Sequence, residues 1–184
     1  MKNVLIIGCK DIYLREFVEQ DLDKLYELTL QREITDFLPD WISTKEQREQ
    51  WLIEDIQENK DFLESLPNVG EQCLRLAIVL KETNEMIGWC CSGIEDELPP
   101  PNRGIAYAIS KDHRGKGYTT QAARGLISYF FDQTNVEELS AMALLRNISS
   151  NRVIEKCGFN HKGTVEIGKK EFNYYKINKR EEKK

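Results

Sequence analysis

The sequence predicts a layered α/β (α+β) protein in which helices flank a mixed, mostly antiparallel sheet of six to seven strands. Three observations predict this class. A strand pattern followed by a helix pattern opens the chain, a β-hairpin pattern occupies its middle, and a glycine-rich loop joins a later strand to a helix. The length of 184 residues fits one domain, so we expect residues 1–184 to form a single domain with a core over about residues 10–177 and a charged tail at 179–184.

Composition and charge restrict the classes of function. The chain is 40% apolar and 31% charged, as folded proteins are, and its net charge of −5 argues against a general nucleic-acid binder. No apolar run reaches the length of a membrane span and no secretory signal is present, so we expect a cytoplasmic protein that does not bind membranes. The five cysteines are odd in number, and Cys90 and Cys91 are adjacent rather than spaced as zinc ligands, so we expect reduced core cysteines and no metal.

The first half of the chain begins with a strand and two helices. Residues 12–15 alternate as a half-buried strand does, and residues 21–28 have the leucine spacing of one helix face. Residues 43–47 contain a capping box, Ser-Thr followed by Glu-Gln, for a second helix that should end before Pro67. This predicts helical cover for the sheet that follows.

A hairpin is predicted next. Residues 74–80 and 86–93 form its strands around a turn at 82–85. Three prolines, Pro99 to Pro101, then mark an exposed loop because proline cannot join the interior of a sheet. The remaining predicted elements are a strand at 105–110, a glycine loop at 111–119, a helix around 122–130, a strand at 139–144, a short helix at 150–157 closed by Gly158, and two strands within 159–177.

The glycine loop suggests phosphate binding. Gly115 and Gly117 let the backbone approach a ligand, the start of the helix adds partial positive charge, and Arg114 and Lys116 add full charges. Such loops also serve merely to start helices. Binding of ATP or GTP loses support because Gly117 is not followed by the Lys and Ser or Thr of the Walker pattern. Binding of NAD loses support because the first strand lacks the glycine fingerprint of a dinucleotide fold.

Two segments resemble the cofactor motifs of the GNAT family of N-acetyltransferases. Residues 114–119 are similar to its Arg/Gln-x-x-Gly-x-Gly/Ala signature, although Thr119 stands where Gly or Ala is usual, and residues 147–159 are similar to its second motif. The resemblance spans most of residues 10–177. The spacing of the motifs is similar to that in the branch of ribosomal-protein alanine acetyltransferases (RimJ/RimL-like). It implies an acetyl-CoA-dependent enzyme in which the acetyl group passes directly to an amine, without a covalent enzyme intermediate.

The resemblance also implies site residues. Acetyl-CoA is expected between two parallel strands that splay apart, at 105–110 and 139–144, with a backbone N–H near Ile109 polarising the thioester carbonyl. Asn147 and Ser150 are expected at the pantetheine and adenylate side, although both residue types also cap helices. The implied acetyl-CoA contacts are Ile109, Ser110, Arg114, Gly115, Lys116, Gly117, Tyr118, Thr119, Asn147 and Ser150.

The proton-transfer groups are less well specified. Many relatives carry a glutamate at the position that aligns with Gly104, so we consider Glu95 and Glu97, with Asp96 between them, as bases, against the alternative of a solvated acidic loop. A tyrosine after the second motif protonates the departing thiolate in several relatives; Tyr174 is our candidate, and Tyr175 stays open.

The acceptor is not specified by the sequence. A peptide N-terminus and a small-molecule amine both remain possible, and either a monomer or a homodimer is compatible with the chain. His113 and His161 are interpreted as surface residues without a catalytic role. The absence of glutamate at Gly104 keeps one alternative from another class open, a non-catalytic acetyl-CoA-binding sensor or scaffold.

Overall fold

Eight strands form one continuous sheet in the computed structural model of the chain, which describes residues 4–182. In chain order the strands are β1 (Ile6–Gly8), β2 (Ile12–Glu16), β3 (Leu74–Leu80), β4 (Met86–Ile94), β5 (Arg103–Ile109), β6 (Glu138–Leu144), β7 (Asn160–Ile167) and β8 (Lys170–Asn178). The expected strand–helix order and hairpin are confirmed. One strand more than predicted is present: β1 is a short edge strand in which exposed Ile6 and half-buried Ile7 are both apolar, so the sequence shows no apolar–polar alternation.

Helices cover both faces of this sheet. Their bounds are α1 (Leu22–Thr29), α2 (Arg32–Thr35), α3 (Lys45–Ser65), α4 (Tyr118–Gln133), α5 (Ile148–Lys156) and α6 (Lys179–Glu182). The predicted capping box begins α3: Thr44 Oγ1 accepts from the N–H of Gln47 at 3.2 Å, and Gln47 Oε1 accepts from the N–H of Thr44 at 2.9 Å. The helix ends before Pro67, as predicted.

The strand order is β1-β2-β3-β4-β5-β6-β8-β7. Neighbours pair antiparallel except β5 and β6, which are parallel. The expectation of a mixed, mostly antiparallel sheet is therefore confirmed. In the part of the chain that the structure describes, β5 and β6 share only one registered pair, Gly104 with Ser140.

Two apolar cores lie on opposite faces of the sheet. On one face α4 and α5 bury Leu126, Phe130 and Ile154 against the strands. On the other, α1 and α3 bury residues such as Leu28 and Leu52. Burial of such large apolar side chains is the main stabilising contribution, at about 1.5–3 kcal/mol each. Both cores meet at β5, which places the middle of this strand between the two helical layers.

Candidate functional site

A cleft opens where β5 and β6 separate beyond the pair Gly104 and Ser140. Its cavity has a volume of about 380 Å³. The walls come from β5, the glycine loop, the first turns of α4 and α5, β6 and α2. The splayed parallel strands that the resemblance implied are therefore present, and the segments expected around them line the opening.

The free edge of β5 carries backbone donors into this cleft. The N–H of Ser110 donates to the carbonyl of Ile87 on β4 at 2.8 Å. Successive N–H groups of a strand point to opposite edges, so the N–H of Ile109 faces the β6 side, where the strands have parted. Ser110 itself is buried, its hydroxyl accepts from Gln31 Nε2 at 3.2 Å, and it does not line the cleft. Of the two predicted cofactor contacts Ile109 and Ser110, only Ile109 lines the cleft.

The glycine loop lies at one end of the cleft. Gly115 has a φ of 74° and Gly117 a φ of 80°, a left-handed conformation that strongly favours glycine. Within residues 4–182, the N–H groups of residues 115–120 donate to no backbone or side-chain acceptor. They lie at the start of α4, where the helix dipole adds partial positive charge. This arrangement fits an anionic group such as a diphosphate.

Basic side chains surround this loop. Arg114 lines the cleft and donates from a guanidinium nitrogen to the carbonyl of Glu33 at 2.5 Å, while Lys116 is exposed outside the lining. Arg152 and Lys156, which sequence analysis did not select, line the cleft from α5. Their positions one helical turn apart gave a signal that could have identified them. The loop end of the cleft is thus its cationic end.

The start of α5 forms another wall. Asn147 lines the cleft and also caps the helix, because its Oδ1 accepts from the N–H of Ser150 at 3.2 Å. The Ser150 hydroxyl does not act as the cap. It lies 3.0 Å from the hydroxyl of Tyr107, which reaches across from β5 and was missed by sequence analysis. Alternation along β5 places Tyr107 on the same face as Ile109, which is the signal that was available.

The other end of the cleft is mainly apolar. Ala106 and Ala108 of β5 contribute small side chains to its lining. Apolar side chains from α2, the segment that follows it, β6 and β8 form the walls: Ile34, Phe37, Leu38, Met142, Leu144 and Phe172. Glu33 is the one carboxylate among the lining residues that the structure describes. This end can therefore enclose a mostly uncharged molecule.

One carboxylate of the acidic loop lies over β5. A Cβ built on Gly104 would be 2.6 Å from both Cγ and Oε1 of Glu95, so the Glu95 side chain fills the space where residue 104 has none. Burial, followed by the negative charges of Glu97 and Asp96, raises the pKa of the Glu95 carboxyl. Glu97 and Asp96 are exposed. The structure thus brings Glu95 to the sheet and leaves Glu97 in solvent.

The two adjacent tyrosines point to opposite faces, as expected. Tyr175 is buried and donates from its hydroxyl to Asn151 Oδ1 at 2.7 Å. The Tyr174 hydroxyl is enclosed, and no hydrogen-bond partner for it occurs among residues 4–182. Tyr174 does not line the cleft. Its proposed role therefore depends on its position on the face that carries Met142, its registered neighbour on β6.

The histidines differ from each other. His161 is exposed on β7, with Nε2 3.1 Å from Asn173 Oδ1. The prediction of a surface His113 is wrong in part, because that side chain is only 15% exposed and lines the cleft beside the glycine loop. The short 3-10 turn Lys111–His113 directs it inward, which the sequence pattern did not indicate.

Residues 4–182 contain neither a cluster of metal ligands nor a membrane-spanning helix. No set of three or more His, Cys, Asp and Glu side chains is arranged to hold a metal ion. None of the helices in this range is both long and apolar enough to cross a membrane.

Comparison with known proteins places these features in context. The model of the acetyltransferase (GNAT) domain matches residues 11–160. The uncharacterised N-acetyltransferase YnaD of Bacillus subtilis (strain 168) is 24% identical over 157 residues, which cover 85% of this chain and 84% of the relative. The aminoglycoside N(6')-acetyltransferase type 1 of Klebsiella pneumoniae is 28% identical over 164 residues, covering 84% and 76%.

Solved structures agree on the fold. A GNAT-family acetyltransferase from Bacillus anthracis superposes with a TM-score of 0.78 at 18% identity, covering 96% of this chain and 100% of the other. RimL, an α-N-acetyltransferase of the ribosomal protein L7/L12, superposes with a TM-score of 0.73 at 20% identity, covering 95% and 94%. At such identities the likeness establishes the shared architecture.

Proposed function

This chain belongs to the GNAT acetyltransferase family, and we propose that it transfers the acetyl group of acetyl-CoA to a primary amine by direct attack within a ternary complex. The observation that carries the proposal is the cleft itself. Its two parallel strands part beyond a single registered pair, and the unpaired amides of residues 115–120 lie at its end. We further propose that one domain contains the whole site and acts as a monomer or homodimer.

Acetyl-CoA fits the two ends of the cleft. The amides of residues 115–119 match the needs of a diphosphate, and Arg114, Arg152 and Lys156 add positive charge nearby. Acetyl-CoA supplies the activated thioester when it is bound. In the proposed arrangement Ile109 offers its N–H to the thioester carbonyl, where negative charge develops as the amine attacks. Asn147 and Ser150 also line the cleft.

Glu95 is the proposed proton acceptor. A primary amine is protonated at neutral pH and must lose a proton before it attacks. The raised pKa of Glu95 makes it a stronger base than an exposed carboxylate, and its position over Gly104 is where relatives carry a glutamate on the strand itself. Glu97 supports this role through its charge. Tyr174 is retained as a proposed proton donor to the thiolate because its enclosed hydroxyl has no partner within residues 4–182.

The proposed acceptor is an amine on a mostly uncharged body, either a peptide N-terminus or a small molecule. The apolar walls and the single lining carboxylate, Glu33, offer little to a polycation, whose other amines would lose hydration without gaining partners. Related proteins named for aminoglycosides and for a ribosomal protein define the panel to be tested.

The test is a thiol-release assay with acetyl-CoA against peptides, amino acids, polyamines and aminoglycosides. We expect turnover with a peptide or a monoamine to exceed turnover with the aminoglycosides. Fastest turnover with aminoglycosides would contradict the acceptor class. Tight acetyl-CoA binding by calorimetry without release of thiol for any amine would favour the non-catalytic alternative.

A further inference from the structure

A half-buried pair of hydroxyl groups joins β5 to α5 across the cleft. The Tyr107 hydroxyl lies 3.0 Å from Ser150 Oγ and 3.2 Å from the Ser150 carbonyl oxygen. Both residues line the cleft. This hydrogen bond joins the side chains of β5 and the first turn of α5, the two walls between which the pantetheine arm is proposed to lie.

The hydrogens of this pair can be arranged in two ways. A carbonyl oxygen only accepts, whereas a hydroxyl both donates and accepts. If Ser150 donates to Tyr107, then Tyr107 donates to the Ser150 carbonyl and both hydrogens are used within the pair. If Tyr107 donates to Ser150 Oγ, the hydrogen of Ser150 is left free to point into the cleft. The second arrangement offers a bound molecule one donor without moving either oxygen.

Tyr107 keeps its own hydrogen in either arrangement. Burial raises the pKa of Tyr107 well above its usual value, although the hydrogen bond with Ser150 opposes this effect. At neutral pH Tyr107 is thus a neutral donor, and it does not give up its proton. Its proposed influence on a bound molecule passes through the hydrogen bond with Ser150 and not through transfer of its own proton.

Ser150 is held firmly on its other side. Its N–H is bound by the Asn147 cap. The neighbouring buried Asn151 donates to the carbonyl of Leu144 at 3.0 Å and to that of Asn147 at 2.8 Å, and it accepts from Tyr175 at 2.7 Å. The first turn of α5 is therefore fixed to β6 and β8. Only the rotation of the Ser150 hydroxyl is left to be set by Tyr107.

We propose that Tyr107 is a positioning residue that directs the Ser150 hydroxyl hydrogen towards the sulfur leaving the acetyl group. The inference rests on the proposed function. As the N–C bond forms, the C–S bond breaks and its electron pair stays on sulfur, which accepts a hydrogen bond from Ser150. The acceptor ammonium loses two protons in all: one ends on sulfur and the other leaves with solvent. Without Tyr107, the Ser150 hydroxyl would turn to a nearby backbone carbonyl, as serines in helices do.

The experiment compares Tyr107→Phe, Ser150→Ala and the double variant, with Tyr129→Phe as a matched control. Tyr129 is half-buried on α4 and does not line the cleft. We expect Tyr107→Phe to lower kcat roughly tenfold with KM for acetyl-CoA changed less than about twofold, and the double variant to match Ser150→Ala. Losses that multiply in the double variant, or a Tyr107→Phe enzyme as fast as wild type, would overturn the inference.

A second measurement needs no acceptor. The pH midpoint for thiolate formation in bound CoA can be followed by ultraviolet absorbance. A donor from Ser150 favours the thiolate, so we expect a lower midpoint in wild type and Tyr129→Phe than in Tyr107→Phe and Ser150→Ala. Equal midpoints in all four would contradict the inference. An enzyme that shows this difference but acetylates no amine would contradict the proposed function alone.

Discussion

The two ends of the cleft are built in different ways. The cofactor end is made mainly of backbone N–H groups from one continuous segment, residues 115–120, at the start of α4. The acceptor end is made of side chains from α2, β5, β6 and β8, while Glu95 lies outside the cleft lining, against Gly104. Backbone sites depend on conformation, whereas side-chain sites depend on residue identity at several distant positions. The cofactor end should therefore be sensitive to backbone strain and intruding charge, and the acceptor end to the loss of single functional groups.

The strongest test of this difference is Gly117→Asp. The substitution strains a left-handed position and directs a carboxylate towards the proposed diphosphate site, so we expect affinity for acetyl-CoA to fall by about 100-fold or more, measured by calorimetry. Gly168→Asp is the control, because Gly168 also has a positive φ, of 55°, but lies in the β7–β8 turn. Unchanged affinity in Gly117→Asp, or an equal loss in the control, would contradict the loop assignment.

Glu95→Gln tests the acceptor end. We expect kcat/KM at neutral pH to fall roughly 10- to 100-fold, with acetyl-CoA affinity preserved, because the proton acceptor is lost. In wild type the rate should fall as pH drops through the raised pKa of Glu95, which gives the pH–rate profile an acidic limb. This limb should be absent from the profile of the variant. Glu97→Gln should move the limb to lower pH, since it removes a negative charge that raises the pKa of Glu95. Exposed Glu166, on β7, supplies the Gln control. A wild-type pH profile retained in Glu95→Gln would exclude Glu95 as the base.

Paired Tyr→Phe substitutions on β8 should have the smallest effects. Tyr174→Phe should slow turnover a few-fold, spare CoA affinity, and leave the free energy of unfolding unchanged or higher, because the lost hydroxyl has no partner in the described structure. Tyr175→Phe removes the hydrogen bond to Asn151 and should lower the free energy of unfolding by about 1 kcal/mol, measured by chemical denaturation. Equal turnover in Tyr174→Phe and wild type would remove Tyr174 from the mechanism.

The same contrast explains what could be predicted from sequence. Glycine spacing after a strand specifies the loop locally, and the resemblance to the GNAT family implied the parted strands. The place of Glu95 depends on how the loop after β4 folds back, with the N–H of Glu95 bound to the carbonyl of Asn102 at 2.9 Å. The contact of Tyr107 with Ser150 depends on the packing of α5 against the sheet. Neither arrangement leaves a trace in local residue patterns, because the first depends on the path of an irregular loop and the second joins residues 43 positions apart.

The single registered pair between Gly104 and Ser140 has a mechanical consequence. The sheet consists of two plates, one of five strands from β1 to β5 and one of three strands from β6 to β8, joined at a hinge point. Backbone pairing carries a displacement at the outer edge of the smaller plate into the larger one only through this pair, so the apolar core shared by both plates provides the other connection. Hydrogen exchange in β7 can therefore accelerate, through edge substitutions, while the amides of β3 and β4 keep their protection.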